Sequence, residues 1–562
     1  MDDAAEGRPP GDEPSEYSKA VAKGSMWSLA GSGVFYSISF IYNIIVARAV
    51  GQDDLGLFFL ALSVASMSAV FDDLGLASAL ARYVPFFEGK SEKGKIRALI
   101  GLAQKLVTAS ALITVAALWL GADAISAIYQ KPSLAEPLRL LSAFLLFSNL
   151  FSVNTAFIRG RADIRAVQML SAFQNSLKLV LTIALFQLYG ASALTLAGAF
   201  FLSFIPPTLL SFHIVRKKSA DLPASDAIST SQMAKEILPF GLMLSLASSL
   251  SMVILSASRL LLGYLGDPST STQMVAMYSV SATLAAVLLT LPASIGSIFL
   301  PIMSKLFGKN DFAQMRIVTE TAQRWSLFIS IPFALVMMVF SQDLLTLLYG
   351  DSYRPAGLVL SILAFGMVLR VLTYMLYMTL AAMQLVSVQL KMLMISGAVN
   401  LAACILLIPQ FGMVGAAAAA VCGFAVNAIL SGYYSHKHFR FVLPPEVWKL
   451  ALAALATLAI ITLLSPGASH LPSFFNGMLG TDAPFYVTKA VYLAFIALLV
   501  SFTIPLFAGI ALTLKCFRKE DVAMMNKALV KMRLPHRLVS IAVGVASYGI
   551  GNPGEGAKGR AG

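Results

Sequence analysis

The chain has 562 residues, of which 58% are hydrophobic and only 12% are charged. Soluble globular proteins carry roughly 25% charged residues, so this chain has too few polar side chains to cover the surfaces of a soluble protein of its length. The composition therefore excludes a soluble globular protein and predicts a membrane protein. The net charge of +13 raises the alternative of a nucleic-acid partner, which the placement of the charges argues against.

Segments that are long and apolar enough to cross a bilayer recur along the chain. A spanning helix needs roughly 20 mostly apolar residues, because only helices and closed barrels satisfy their backbone hydrogen bonds within lipid. The candidate spans are 26–47, 55–80, 98–120, 137–157, 167–188, 191–214, 238–265, 274–300, 325–347, 356–379, 391–408, 412–434, 447–464 and 487–513. The sequence thus predicts an all-α polytopic membrane protein with about 14 transmembrane helices.

Lysine and arginine are distributed unevenly between the two sides of the membrane. If both termini are cytosolic, the inner segments hold 32 of the 41 basic residues, whereas the outer loops and helix edges hold 5. This bias is the one described by the positive-inside rule, and it accounts for the net charge without a nucleic acid. We therefore expect a multi-pass protein of the plasma membrane with both termini in the cytosol.

The two halves of the chain share polar and glycine positions at an offset of 219–222 residues. Matching positions are Gly89 and Gly308, Gln104 and Gln323, and Gly190 and Gly412. The offset spans six predicted helices, an even number, so both copies enter the membrane in the same direction. This arrangement is a parallel repeat about an axis along the membrane normal, which is a common basis for alternating access.

The predicted domains follow from this repeat and from the composition of the ends. They are a disordered cytosolic tail (1–25), an N-terminal six-helix lobe (26–215), a cytosolic linker (216–237), a C-terminal six-helix lobe (238–435), two extra helices (436–515) and a basic cytosolic tail (516–562). The predicted fold is therefore two parallel-repeat lobes with two additional C-terminal helices.

Catalytic and metal-binding motifs are missing from the sequence. It contains no Ser–His–Asp, Cys–His or HExxH arrangement, and the largest predicted outer loop, 465–486, offers only Asp482 as an acidic residue. Residues 89–96 match part of a phosphate loop, but Ile96 replaces the magnesium-binding Ser or Thr, and no strand precedes the motif. We therefore expect no enzyme, no metal site and no cofactor.

Ionisable residues within the predicted spans are the candidate functional residues. A charge at mid-bilayer costs roughly 2.5–3.5 kcal/mol on insertion scales, so it usually faces a bundle interior or a wet cavity. Lys178 and Arg370 are the deepest cations, and each either lines a substrate path or pairs within its lobe. Asp72 and Asp73, within the second span, either pair with a basic residue or form a proton- or sodium-coupling site.

Two further arginines, Arg48 and Arg259, occupy repeat-related positions near the outer ends of the first and seventh spans. Long cationic side chains at such positions can reach the headgroups and anchor the helix. The alternative is contact with a phosphate group of the substrate. The sequence leaves both alternatives open.

Several loose motifs occur in a fixed order along the predicted helices. They are Asp73-Leu-Gly-Leu76 with Ala79 and Arg82-Tyr83, Pro301 with Ser304-Lys305, Tyr349-Gly350 with Tyr353, and Gly412 with Gly415-Ala-Ala. With these motifs, residues 18–515 resemble the polysaccharide-transport branch, the O-antigen-type flippases, of the multidrug/oligosaccharidyl-lipid/polysaccharide exporter superfamily.

The resemblance implies a flippase that moves a polyprenyl-linked (undecaprenyl or dolichyl) oligosaccharide from the cytosolic to the outer leaflet by alternating access. It implies a phosphate-linked glycan and membrane lipids as partners, and glycosyltransferases of the same pathway as candidate partners. Members of this family often hold the pyrophosphate with cations in a cavity lined by helices 1, 2, 7 and 8, where this sequence has few deep cations. The alternatives are a cation-coupled multidrug or metabolite antiporter of the same superfamily and a flippase for the peptidoglycan lipid precursor.

Overall fold

The structure is a computed structural model that describes residues 37–72, 74–90, 92–223, 256–469 and 501–516, together with Gly33 and Phe35. Within these ranges the chain is almost entirely helical and contains no strand. The chain divides into two compact units, unit 1 (Met1–Met252) and unit 2 (Val253–Gly562). The prediction of an all-α polytopic membrane protein is confirmed, whereas the predicted domain boundaries stay predictions.

Unit 1 contains eight described helices. They are α1 (Ser37–Ala49), α2 (Gln52–Asp72), α3 (Leu76–Gly89), α4 (Lys93–Ile128), α5 (Ala135–Gly160), α6 (Ile164–Tyr189), α7 (Ala193–Leu202) and α8 (Ile205–Ala220). The predicted span 55–80 is not one helix, because Leu74 and Gly75 adopt positive φ angles of 44° and 68° between α2 and α3. Glycine reaches this left-handed region without a steric penalty, so Gly75 allows the chain to leave the helix there.

Unit 2 contains nine described helices. They are α9 (256–265), α10 (Ser271–Ala286), α11 (Thr290–Gly308), α12 (Phe312–Val339), α13 (Ser341–Tyr349), α14 (Gly357–Ala382), α15 (Val386–Phe439), α16 (Pro445–Ser469) and α17 (Ser501–Thr513). Short 3-10 turns lie at Val287–Leu289 and Asp351–Ala356.

Helix α15 contains the two predicted spans 391–408 and 412–434, which meet at Gly412. Gly412 has φ 54° and ψ −128°, so the helical path is interrupted there. A Cβ atom at Gly415 would lie 2.3 Å from the carbonyl oxygen of Leu407. The chain therefore turns so tightly at this point that position 415 has no room for a side chain.

The helix boundaries of the two units follow the repeat predicted from the sequence. The starts of α2 and α10 are 219 residues apart, and so are the ends of α3 and α11. Helices α5 and α14 each have 26 residues and lie 222 residues apart at both ends. The segment from the start of α4 to the start of α5 in unit 1 is thus three residues shorter than the equivalent segment from the start of α12 to the start of α14 in unit 2.

The equivalent helices α5 and α14 occupy the same central place, each within its own unit. Helix α5 contacts α2, α3, α4, α7 and α8, and α14 contacts α10, α11, α12, α13 and α15. Both helices have buried apolar residues on several sides, such as Leu141 and Phe157 on α5 and Leu360 and Val371 on α14. A central helix of this kind can hold polar side chains of its neighbours away from lipid.

Nine helices among the described residues are long and apolar enough to cross a membrane. The predicted spans 26–47, 238–265 and 487–513 each extend beyond the described residues, as do the predicted linker 216–237 and both tails. The predicted total of about 14 spans therefore stays a prediction.

Candidate functional site

Lys178 lies near the middle of α6, where three helices of unit 1 come together. Its Nζ atom is 4.3 Å from the ring centroid of Tyr42 on α1 and 5.5 Å from that of Phe200 on α7. No carboxylate among the described residues forms an ion pair with Lys178. Because an ammonium over an aromatic face is attracted by the ring quadrupole, the two rings stabilise this cation inside the membrane.

Arg370 lies near the middle of α14 and has a similar environment in unit 2. Its Cζ atom is 5.2 Å from the ring centroid of Phe424 on α15. Within the described part of the chain, no acidic side chain lies within ion-pair distance of Arg370. Both deep cations that the sequence singles out are thus half-buried against aromatic rings of their own unit.

The repeat-related arginines Arg48 and Arg259 differ in their surroundings. Arg48 is exposed near the end of α1, whereas Arg259 is half-buried on α9. Exposure at a helix end is typical of an anchoring side chain. The phosphate-contact alternative for these two arginines stays a prediction.

The predicted coupling residue Asp72 is the last residue of α2, directly before the break at Leu74 and Gly75. Its neighbour Asp73 lies outside the described residues. The C-terminal end of a helix carries a partial negative charge, so a carboxylate there is disfavoured unless a cation accompanies it.

Sequence reasoning missed a set of buried and half-buried amide side chains in unit 1. Gln104 donates through Nε2 to Oδ1 of Asn154 at 2.8 Å, and Nδ2 of Asn154 donates to Oγ of Ser211 at 2.8 Å. Gln174 on α6 donates to Oγ of Ser203 at 3.2 Å. Polar side chains that bond across helices hold membrane bundles together. Their signal in the sequence is an amide within an apolar span.

The described residues place cations in the middle of apolar helices. Among the described residues, no three His, Cys, Asp or Glu side chains come together as a metal site. A cation seated on aromatic rings can attract an anion without forming a covalent bond. The fold and these residues define a polytopic helical membrane protein with cationic positions within its apolar helices.

Residues 45–358, more than half of the chain, match the family described as "Polysaccharide biosynthesis protein". The chain belongs to this family. It is 23% identical over 454 residues to an uncharacterized membrane protein of Methanocaldococcus jannaschii, which covers 78% of this chain and 88% of that protein. It is also 28% identical over 160 residues to a protein of Haloferax volcanii described as a probable low-salt glycan biosynthesis flippase, covering 28% of this chain and 34% of that protein.

Solved structures share the fold. The lipid II flippase MurJ in an inward closed conformation matches with a TM-score of 0.64 and 15% identity, over 85% of this chain and 97% of that one. An inward-facing multidrug resistance MATE family transporter of the MOP superfamily matches with a TM-score of 0.61 and 17% identity, over 72% of this chain and 94% of that one. The chain is thus a multi-pass helical membrane protein of a polysaccharide biosynthesis family, and it shares its fold with these two solved proteins.

Proposed function

We propose that this protein is a flippase that moves a polyprenyl-linked oligosaccharide from the cytosolic to the outer leaflet by alternating access. Membership of the polysaccharide biosynthesis family over residues 45–358 is the observation that carries the proposal. The lipid tail of such a substrate stays in the bilayer while its polar head crosses the apolar core. A membrane protein that offers polar groups within its helices lowers that barrier without any covalent step.

The proposed phosphate contacts are Lys178 and Arg370. Both cations lie near the middle of spanning helices and rest on aromatic rings instead of described carboxylates. A cation that costs free energy to bury and has no described counter-ion is suited to meet an anionic group that arrives with the substrate. Arg48 and Arg259 remain candidates for a further phosphate contact.

The proposed coupling site is Asp72 with Asp73. The position of Asp72 at the end of α2 supports an ion site, because a bound proton or sodium ion would offset the unfavourable helix-end charge. Under this proposal an ion gradient drives transport. We further propose a plasma-membrane location with both termini cytosolic, which cysteine labelling of each terminus in intact cells would test.

Deletion of the gene tests the transported substrate. We expect loss of surface glycan and accumulation of the lipid-linked oligosaccharide on the cytosolic leaflet, with both effects reversed by the wild-type gene. Association with glycosyltransferases of the pathway can be measured by co-purification from the same cells. Normal surface glycan in the deletion strain would overturn the proposal.

The same deletion strain separates the second candidate function, a cation-coupled multidrug or metabolite antiporter. The fold shared with a MATE transporter favours this alternative. Normal glycan together with increased sensitivity to toxic cations would support it. Accumulation of the peptidoglycan precursor, with other glycans intact, would instead identify a flippase for that lipid, as the fold shared with MurJ suggests.

A further inference from the structure

A cavity of about 370 Å³ lies within unit 2, between α12, α14, the second half of α15 and residues 441–443. Most of its lining is apolar, including Leu372, Leu376 and Leu443. Among the described residues, no lysine, arginine, aspartate or glutamate lines it. On the predicted orientation, α12 begins and α15 ends at the cytosolic side, so the cavity lies towards the cytosolic headgroups.

Two small residues one helical turn apart on α15, Ala428 and Gly432, leave the space for this cavity. A Cβ atom at Gly432 would meet nothing within 4 Å. Glycine within a helix is destabilising by roughly 0.5–1 kcal/mol relative to alanine. Here the space beside Gly432 would accommodate a larger side chain, so packing between helices does not require the glycine.

Each of the three polar side chains of the cavity donates a hydrogen bond to a backbone carbonyl group. Gln323 donates through Nε2 to the carbonyl oxygen of Leu372 at 2.6 Å. Thr373 donates its hydroxyl to Leu369 and Arg370, each at 3.2 Å.

The third polar side chain, His436, has Nδ1 2.9 Å from the carbonyl oxygen of Phe441. Because a carbonyl oxygen only accepts, Nδ1 carries the hydrogen of this bond, and in that tautomer Nε2 is an acceptor. All three polar side chains of the cavity therefore present acceptors.

One of these acceptors lacks a partner. Gln323 is fully buried, and its Oε1 atom has no hydrogen-bond partner among the described residues. Leaving a buried acceptor unsatisfied costs about 1–3 kcal/mol, and such atoms in native proteins usually have a bound partner. The equivalent residue of unit 1, Gln104, donates a hydrogen bond to Asn154. The missing donor at Gln323 is therefore a feature of unit 2.

We propose that this cavity binds the hydroxyl-bearing head of an uncharged membrane lipid, with a sugar or a glycerol as the head. Hydroxyl groups supply the donors that Gln323, Thr373 and His436 leave unmatched. A charged head would lose its water in a cavity without a charged side chain, which is unfavourable. The apolar lining contacts the acyl chains. This site is independent of the proposed transport substrate and of Lys178 and Arg370.

Native mass spectrometry of the full-length protein tests the proposal with three lipids that share the same acyl chains. Monoglucosyl dioleoylglycerol offers uncharged hydroxyl donors, dioleoylphosphatidylcholine offers no donor, and dioleoylphosphatidylethanolamine offers a charged donor. We expect the glucolipid to bind at least about fivefold more tightly than either phospholipid, which corresponds to one net hydrogen bond. Equal binding of the three lipids would overturn the proposal, and preferential binding of phosphatidylethanolamine would overturn the uncharged head.

Two variants assign the binding to this cavity. Gln323→Met removes the unmatched acceptor at similar volume, and Gly432→Leu fills the cavity without touching a polar group. Each is expected to lower the preference for the glucolipid by about fivefold. The matched controls are Gln104→Met and Gly101→Leu in unit 1, where a Cβ atom at Gly101 also meets nothing within 4 Å. Unchanged preference in both unit 2 variants, or equal loss in the controls, would contradict the assignment.

Discussion

The two units repeat their helix boundaries but place their deep cations at positions that do not match. Lys178 lies on α6, and the residue 222 positions later on α15 is Asn400, which is only 5% exposed. Arg370 lies on α14, and the residue 222 positions earlier on α5 is Ser148. The repeat therefore preserves the backbone framework, whereas the charged chemistry has diverged between the two units.

The environment of the cations is nevertheless similar in both units. Each cation rests on one or two aromatic rings that come from other helices, Tyr42 and Phe200 in unit 1 and Phe424 in unit 2. The two cations therefore share aromatic support although their positions in the repeat do not match. The following predictions test how far the two units are equivalent.

The largest effect is expected at the tight turn in α15. Gly415→Ala should abolish the yield of folded protein, because the new Cβ would lie 2.3 Å from the carbonyl oxygen of Leu407. The equivalent residue of unit 1 is already an alanine, Ala193, so Ala193→Gly should cost only about 1 kcal/mol. Size-exclusion profiles and thermal melting in detergent measure both. A Gly415→Ala variant that melts like the wild type would show that the turn in unit 2 is as tolerant as that in unit 1.

Replacement of the two membrane cations should give the next largest effect. Lys178→Ala and Arg370→Ala are each expected to lower transport by roughly tenfold or more, because a hydrogen bond to a charged group contributes about 1.5–3 kcal/mol. Flux of a lipid-linked oligosaccharide into proteoliposomes measures this loss at matched protein content. Lys178→Arg should retain most of the activity.

The control for the cations is Arg161→Ala, which removes a cation that pairs with Glu88 at 2.6 Å outside the spanning helices. We expect this variant to transport normally. Full activity of both Lys178→Ala and Arg370→Ala would remove the two cations from the substrate path. Loss in only one of them would assign the phosphate contact to a single unit.

Ion coupling should depend on unit 1 alone. Asp72→Asn or Asp73→Asn is expected to abolish the stimulation of transport by an ion gradient, because the residue 219 positions after Asp72 is the apolar Leu291. Flux in vesicles with and without a proton or sodium gradient measures the stimulation. Asp123→Asn, which affects an aspartate paired with Arg139 at 2.7 Å, is the control. Unchanged stimulation in both variants would leave Asp72 and Asp73 as structural residues.

The smallest effect concerns a helix cap in unit 1. Burial alone would raise the pKa of Asp163, but the hydrogen bond and charge of Lys218, the backbone N–H of Ala166 and the charge of Arg165 together lower it. The stability from ionised Asp163 is therefore present above its unfolded pKa of about 4 and is lost as the pH falls through the lower folded value.

Asp163→Asn should accordingly lower the free energy of unfolding at neutral pH by less than about 1 kcal/mol, and with it the melting temperature. The melting temperature of this variant should also fall less in acid than that of the wild type. Melting curves between about pH 3 and pH 7, which bracket the unfolded carboxylate pKa, measure this. The comparison in unit 2 is Asp311→Asn, because Asp311 caps α12 through the N–H of Gln314 at 2.9 Å and forms no ion pair among the described residues. An identical pH dependence in both variants would show that Lys218 is unimportant.

Hydropathy predicts the spanning helices well where lipid demands a long apolar run. The predicted spans 137–157 and 167–188 lie within α5 and α6. The prediction is poorer for 325–347, because α12 begins at Phe312 and its first half carries polar residues that lower the hydropathy. Those residues include Gln323, so the same polar stretch that displaces the predicted span also forms part of the cavity in unit 2.

The break after Asp72 and the partners of the cations could not be predicted from the sequence. A residue in the left-handed conformation interrupts a helix without changing the hydropathy of the sequence. Gly75 is therefore the local feature of the sequence that indicates the break. The depth of Lys178 follows from its position in an apolar run. Its aromatic partners do not, because Tyr42 lies on the distant α1, and Phe200 on the next helix, α7, approaches α6 only in the folded unit.

The aromatic rings beside Lys178 and Arg370 affect the release of a bound phosphate as well as its binding. An aromatic face holds an ammonium or guanidinium by only about 0.5–2 kcal/mol, and it is uncharged, so nothing must be neutralised when the cation leaves. Under the proposed function, Lys178 would turn from Tyr42 towards the phosphate of the substrate and return when the phosphate leaves. A carboxylate in the same place would compete with the phosphate for the cation in every transport cycle. The aromatic ring binds the cation more weakly and therefore competes less.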